Sequence, residues 1–349
     1  MARFLEKYVT GDSLQWLLDP ADRDVRYLAL RDLLDEADGD DYRRLEGFLA
    51  SGPLLKNKNG IPGSQGRYDL LYSGSLWILA EAVERGLDRR SEVIEKIIRY
   101  LREAGTGEAG GFSLPWKPRA ESALYTGEMV RLSLAAGFSD DAVAGSIRWI
   151  LEHQRHDGGW LQWQVGGWAD LASFLFFNRP GKGGLRDSDR SVTSCPYASI
   201  ACARALLLNQ KVHPSPEAGR AIAAAAEFFL KRKFFDFRDL GFFNSRLISR
   251  QDFRLLGFPV FGQYDILTGL IFISLAGRFN DPRASEAFNL VMSKQNGNGS
   301  WDQESAEAGM LFGNKRKRCL GRESKWVTLN VLRMLKYAEE TEQGQLEKA

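Results

Sequence analysis

The chain has 349 residues, of which 44% are hydrophobic, a composition typical of a globular protein that builds its core without disulfides or bound metal. Lysine and arginine number 47 and aspartate and glutamate 45, so the formal charge of +2 excludes the strong positive field that would hold nucleic acid. The three cysteines, Cys195, Cys202 and Cys319, are odd in number and lack C-x-x-C spacing, which favours a reducing, cytoplasmic location.

The chain starts with a short stretch of mixed character, from Met1 to Tyr8, that lacks the apolar core of a signal peptide. No segment has the uninterrupted apolar length of a membrane-spanning helix. Helices are predicted next, at about 22–36 and 42–51. We expect this pair to add a sixth unit to the repeat that follows.

A repeated helix pair dominates the rest of the chain. Five apolar helices carry a small residue after a bulky one, at 72–74, 125–127, 197–199, 267–269 and 326–328. Glycine ends several of them, and an Asp or Ser then caps the next helix. The second helices are one-sided, as in 93–101, where apolar residues form a single stripe. Helices that are apolar on all sides, surrounded by helices with a single apolar face, predict a ring.

The predicted fold is therefore all-α, an α/α toroid of inner and outer helix pairs with five to six repeats. It forms a single domain over residues 1–349. We assign 1–53 to the N-terminal helices, 54–340 to the helical repeats and 341–349 to a disordered tail. No run of alternating β-branched residues indicates a sheet.

Two turns after second helices share a glutamine, a glycine and a tryptophan. The residues are Gln154, Gly158 and Trp160 in one turn and Gln295, Gly299 and Trp301 in the other. They resemble the QW motifs of the squalene-hopene cyclase and prenyltransferase repeat family, in a bacterial-type branch, and weaker copies extend the resemblance from about 54 to 336. The three residue types predict a structural role, in which glutamine bonds free backbone groups, glycine permits the turn and the indole covers it.

The resemblance implies a central, mostly apolar cavity that holds an isoprenoid or another hydrophobic small molecule. It further implies a terpenoid cyclase-like or prenyltransferase-like activity. We expect the cavity mouth to be lined by residues at or just before the inner helices. These residues are Asp69, Tyr72, Glu121, Tyr125, Cys195, Tyr197, Tyr264, Glu323 and Trp326. Their aromatic faces suit stabilisation of a carbocation, although ordinary packing is the favoured interpretation for each aromatic.

A cyclase of this kind protonates an alkene with the middle acid of an Asp-x-Asp-Asp motif. The string occurs at 38–41, but in a polar bend between two helices. The better-placed candidates are Asp187 and Asp189, although Arg190 replaces the final acid and favours the ionised carboxylate. Glu128 and Asp265 complete the set of possible catalytic acids.

No metal or cofactor is expected from the sequence. A DDxxD cluster for magnesium diphosphate is absent, and the fifth inner helix lacks the histidine of the zinc prenyltransferases. His153 and His156 are too few for a metal site. A basic loop before the last inner helix is a candidate diphosphate site, with a solvated loop or an anionic membrane surface as alternatives. Its residues are Lys315, Arg316, Lys317, Arg318 and Arg322.

Several functional alternatives stay open at this point. One is a non-catalytic toroid that binds a lipid or a protein, and another is a carbohydrate-active α/α barrel that uses paired carboxylates such as Glu121 and Glu128. An apolar insert at 168–177 leaves open a peripheral membrane contact. A homodimer is also open, because full-length triterpene cyclases resemble two such barrels. Whether the chain is an enzyme is not decided by its sequence.

Overall fold

A computed structural model describes residues 2–36, 42–43, 46–47, 61–63, 68, 74–113, 121–162, 192–239, 252–260, 262–305 and 320–346. Within these ranges the regular structure is helical, and extended segments meet only in isolated bridges rather than in a sheet. The predicted all-α fold is confirmed.

Twelve α-helices are described in these ranges. They are α1 (Ala2–Tyr8), α2 (Ser13–Leu17), α3 (Arg23–Ala29), α4 (Ser75–Glu84), α5 (Glu92–Gly105), α6 (Ala123–Ala135), α7 (Asp141–Glu152), α8 (Pro196–Val212), α9 (Pro216–Leu230), α10 (Ile266–Leu275), α11 (Ser285–Met292) and α12 (Lys325–Leu346). A π-helical turn, Leu30–Leu34, extends α3, and a 3-10 turn, Pro282–Ala284, precedes α11.

Inner and outer helices differ as the sequence predicts. The inner helices α4, α6, α8, α10 and α12 are buried along most of their length. In the outer helix α5, the apolar stripe that includes Ile94 and Leu101 is fully buried, whereas Arg99 on the opposite side is exposed. Alternation of inner and outer helices gives the predicted toroid.

The ring closes through α3. The carboxylate of Asp32, in the π-helical turn, forms an ion pair with Arg333 of α12. On its other side, Asp24 of α3 forms an ion pair with Arg85 at the end of α4. Helix α3 therefore fills the sixth inner position, between the last and the first inner helices of the repeat.

The turn after α7 joins it to the next outer helix. Trp160 is fully buried, and the Gln154 side-chain amide donates to the carbonyl oxygens of Gly158 at 2.9 Å and of Ala221 in α9 at 2.8 Å. Gly158 has a φ of +88°, and a Cβ atom there would lie 2.1 Å from the carbonyl oxygen of Ala224. Only glycine fits at this contact.

The second turn of this type joins α11 to α1. Gln295 Oε1 accepts hydrogen bonds from the backbone N–H of Thr10 at 3.2 Å and from its hydroxyl at 2.9 Å. Gly299, with a φ of +86°, lies against the same residue, and the Trp301 ring is fully buried. Helix α1 therefore occupies an outer position, which the sequence did not predict.

The end of the chain differs from the prediction. Helix α12 continues to Leu346, so the tail expected to be disordered from residue 341 is helical up to that point. The Thr341 hydroxyl contacts the carbonyl oxygen of Ser274 at 3.1 Å, and Arg3 of α1 forms an ion pair with Glu342. Contacts with the ring thus order the last turns. Among the described helices, none combines the length and the apolar character needed to cross a bilayer.

Candidate functional site

The ring encloses a cavity of about 260 Å³ toward the C-terminal ends of its inner helices. Its lining is more polar than the resemblance implied. Five basic side chains line it, namely Arg31, Arg131, Arg204, Lys211 and Arg333. Three acidic ones do so as well, namely Asp32, Glu84 and Asp88. The inner helices are apolar where they pack on neighbours but carry these charges on the face toward the cavity.

Apolar side chains form the rest of the wall. Val83 and Leu87 come from the end of α4, Leu207 and Leu208 from α8, and Ile271 from α10. The cavity is therefore lined by charged and apolar side chains that lie side by side.

Arg131 is the most strongly bonded of the cavity charges. Its Nη1 lies 2.6 Å from Oε1 of Glu84, and its Nη2 and Nε lie 2.7 and 3.1 Å from Oε2 of Glu128. Burial alone would raise the pKa of Glu84, but the nearby charges of Arg131, Arg204 and Arg333 outweigh burial and hold it below its usual range. The group on α4 and α6 is thus an ionised, mutually satisfied cluster.

Arg204, on α8, faces the same space without a direct partner. In the part of the chain that the structure describes, its guanidinium makes no hydrogen bond and no ion pair. Burial, followed by the charge of Arg131, lowers the pKa of Arg204, whereas Glu84, Glu128 and Asp265 attract it only through space. Its N–H groups point into an open cavity that is polar and positively charged.

The cavity opens to solvent on one side. Arg31, Ala135 and Lys211 are exposed at its rim, and Arg131 and Thr268 are buried in its depth. Arg31 donates a hydrogen bond to Asp32 through Nη2 at 3.1 Å. The ammonium of Lys211 lies near the ring of Tyr337, 6.0 Å from its centroid. Basic groups thus stand both at the opening and inside.

One side of the cavity is formed by the loop that contains Phe258 and Val260, and several contacts hold this loop in place. The Phe258 ring stacks on that of Trp326, with centroids 4.1 Å apart and planes 2° from parallel. Gln303 Nε2 donates to the Phe258 carbonyl oxygen at 3.0 Å, and Asp265 accepts from the N–H of Gly257 at 3.4 Å.

Two predicted acids lie near the cavity but are engaged elsewhere. Glu128 is held by Arg131, as described. Asp265 caps α10, where its Oδ1 accepts from the backbone N–H of Thr268 at 2.7 Å and from its hydroxyl at 2.6 Å. Burial raises the pKa of Asp265 despite these bonds. Glu128 is thus bonded to a cation on its own helix, α6, and Asp265 to the first turn of α10.

The other predicted lining residues lie among packed helix ends. Glu121 accepts from Trp149 Nε1 at 2.7 Å, and the thiol of Cys195 is buried, which raises its pKa to about 11. Tyr264 donates to the Phe234 carbonyl oxygen at 2.8 Å.

The remaining members of that set are similarly placed. Tyr197 is buried against the edge of Phe253, Tyr125 is partly buried, and Glu323 is exposed and accepts from Asn298 at 2.8 Å. Trp326 stacks on Phe258, as described. None of these residues lines the cavity described above.

Several predicted residues cannot be placed in this geometry. The following lie outside the described residues: Asp69, Tyr72, Asp187, Asp189, Lys315, Arg316, Lys317 and Arg318. Arg322 is exposed in the turn before α12. Across the described ranges, His, Cys, Asp and Glu form no group of three placed to hold a metal ion.

Sequence reasoning missed the cavity charges. Glu84, Arg131, Arg204 and Arg333 are all charged residues on inner helices. Charges on helices that are mostly apolar were the available signal, because charged groups are rarely buried without a partner or a task.

Comparisons with known proteins identify the fold. No family model matches the chain, and no curated protein matches it. A family 76 glycoside hydrolase from a bovine Bacteroides thetaiotaomicron strain is similar, with a TM-score of 0.50 and 14% identity, over 90% of this chain and 67% of that one. At this identity the likeness concerns the fold alone.

Two further solved structures are similar at lower scores. The Lin0763 protein from Listeria innocua has a TM-score of 0.46 and 15% identity, over 98% of this chain and 95% of that one. A type II terpene cyclase from Scytonema, in complex with merosterolic acid A, has a TM-score of 0.42 and 15% identity, over 96% of this chain and 87% of that one.

Proposed function

We propose that the ring binds one small amphipathic molecule in its central cavity, with a polar group toward the arginines and an apolar part against Leu207, Leu208 and Ile271. The observation that carries this proposal is the charge cluster of Arg131, Glu84 and Arg204 inside a cavity that opens to solvent. Charges are costly to bury, and ligand sites combine apolar walls with a few placed polar groups.

The size of the cavity narrows the substrate. Its volume of about 260 Å³ lies just below the range of roughly 300–1,000 Å³ that drug-sized ligands occupy. A short isoprenoid with a polar head group or a single sugar unit fits this scale, whereas squalene exceeds it. The isoprenoid hypothesis is therefore proposed for short chains, and the carbohydrate alternative for monosaccharides.

Native mass spectrometry and ligand extraction of the purified protein test the proposal. We expect one small polar or amphipathic molecule per chain, or saturable binding of geranyl diphosphate or of glucuronate when each is added. Tight binding of squalene, with no binding of either small probe, would contradict the proposed cavity.

A cyclising version of this function needs a proton donor, and Asp187 and Asp189 remain the proposed acids. Glu128 and Asp265 are weaker candidates, because both are committed to helix contacts. Asp265→Asn tests that assignment sharply, since asparagine caps a helix as well as aspartate but cannot protonate an alkene. If a prenyl substrate is cyclised, we expect Asp189→Asn to abolish turnover and Asp265→Asn to retain it.

A further inference from the structure

The unpartnered guanidinium of Arg204 distinguishes one part of the cavity from the rest. Arg131, Arg31 and Arg333 each bond a carboxylate directly, but Arg204 does not. We propose that Arg204 is an oxyanion subsite, which takes the carboxylate or phosphate group of the cavity's ligand. This inference rests on the proposed function and names the chemical class of the ligand.

The first argument is hydrogen-bond capacity. A guanidinium carries five N–H donors in a planar fork. Glu84 and Glu128 act on Arg204 through space only, and their hydrogen bonds go to Arg131 instead. Among the described residues, some polar side-chain atoms are both inaccessible to solvent and without a hydrogen-bond partner, but the nitrogens of Arg204 are not among them. Solvent therefore reaches these nitrogens through the cavity. These donors are therefore available to a ligand that enters the cavity.

The second argument is charge. Basic side chains outnumber acidic ones in the cavity lining by five to three. Lowering of the Arg204 pKa by burial and by Arg131 indicates that its charge is poorly compensated. A bound anion compensates it, and the fork matches the two oxygens of a carboxylate or phosphate.

The third argument is the arrangement along α8. Arg204, Leu207, Leu208 and Lys211 share one face of the helix, because residues three, four and seven positions apart lie above one another. All four line the cavity, with Lys211 exposed at the rim. A cation at the opening attracts an anion toward a second cation inside, and the leucines between them contact its apolar part.

Arg204→Gln tests the subsite against Arg220→Gln, a matched change on the exposed side of outer helix α9. Inorganic phosphate and acetate are the probes, titrated at constant ionic strength set with chloride, and thermal denaturation reports binding. We expect at least one probe to raise the melting temperature of the wild type and of Arg220→Gln. In Arg204→Gln the dissociation constant for that probe should be higher by about tenfold or more.

The two probes distinguish the source of the oxyanion. A response to phosphate alone indicates a phosphorylated ligand, and a response to acetate alone indicates a carboxylate. Arg204→Lys keeps the charge but loses the fork, so its response should lie between those of the wild type and Arg204→Gln. No response in the wild type, or equal responses in all variants, would overturn the subsite.

A second measurement separates a binding role from a structural one. Without added phosphate or acetate, Arg204→Met should melt at the same temperature as the wild type or higher, because it removes a partly buried cation that lacks a direct partner. An arginine that holds the fold together would give a lower melting temperature instead. If neutral sugars bind the wild type and all variants equally, the cavity function stands and the anion subsite falls; if nothing binds, both fall.

Discussion

At the scale of single residues, Arg131 and Arg204 line one cavity but differ in their hydrogen bonds. Arg131 satisfies Glu84 and Glu128 with three short hydrogen bonds, and the three side chains join α4 to α6. Removal of one member of such a group leaves the other charges buried without a partner, which costs more than the group contributes as a whole.

We therefore expect Arg131→Met to lower the free energy of unfolding by about 3–5 kcal/mol. Urea denaturation checks this value. Arg148→Met, on the exposed side of α7, is the matched control and should change stability by no more than about 0.5 kcal/mol. Similar small losses for both variants would show that Glu84 and Glu128 do not depend on Arg131.

The same cluster predicts a pH dependence. The folded-state pKa of Glu84 lies below its ordinary value of 4.5. Its contribution is thus complete above that pH and is lost as the pH falls toward the folded-state pKa. We expect the wild type to lose more stability than Glu84→Gln as the pH drops below 4.5, as measured by urea midpoints at each pH. Parallel curves for the two proteins would remove Glu84 from this role.

At the scale of helices and turns, the repeat has a common hydrogen bond. A hydroxyl near the start of three inner helices accepts from the backbone N–H of the aromatic residue in the preceding turn. The pairs are Phe112 to Thr126 at 2.8 Å, Trp160 to Ser199 at 2.9 Å and Trp301 to Thr328 at 3.0 Å. This bond explains why small polar residues recur at the positions from which the sequence predicted the repeat.

Gly158 tests how strongly these turns depend on glycine. An added Cβ would meet the carbonyl oxygen of Ala224 at 2.1 Å, at a φ of +88°. We expect Gly158→Ala to cost about 2 kcal/mol or more, because both the backbone conformation and the contact are unfavourable. Thermal denaturation measures the change.

The control is Gly145→Ala within α7, where an added Cβ has no neighbour within 4 Å. Alanine is the better helix former, so this variant should gain up to about 1 kcal/mol. A loss of the same size at both glycines would mean that the turn does not dock on α9 in this way.

At the scale of the whole molecule, the sequence predicted the ring but not its contents. Glycine stops, caps and one-sided patterning are local, so they identify inner and outer helices directly. Which face of an inner helix points to the axis depends on the packing of the whole ring, and the sequence therefore did not place Arg204 and Glu84 in one cavity. Helix α1 was missed because it is short and its partners, such as Gln295, are distant in sequence.

Closure of the ring makes distant units depend on one another. In an open stack of repeats, each unit contacts only its neighbours, so a loss of stability at one end does not reach the other end. Here α3 contacts both α12 and α4, through the ion pairs of Asp32 with Arg333 and of Asp24 with Arg85. Burial lowers the pKa of Arg85 to about 10, so the carboxylate of Asp24 matters to its charged form.

Asp24→Asn weakens that ion pair and should cost about 1.5–3 kcal/mol. In a closed ring that unfolds as one unit, the loss appears as a similar drop in hydrogen-exchange protection in α3, beside the substitution, and in α8, on the far side of the ring. Asp141→Asn, at an exposed position of outer helix α7, is the control and should leave both unchanged. Loss of protection confined to α3 and α4 would indicate a stack whose ends act independently, and the central cavity would then lack the rigid wall that ligand binding requires.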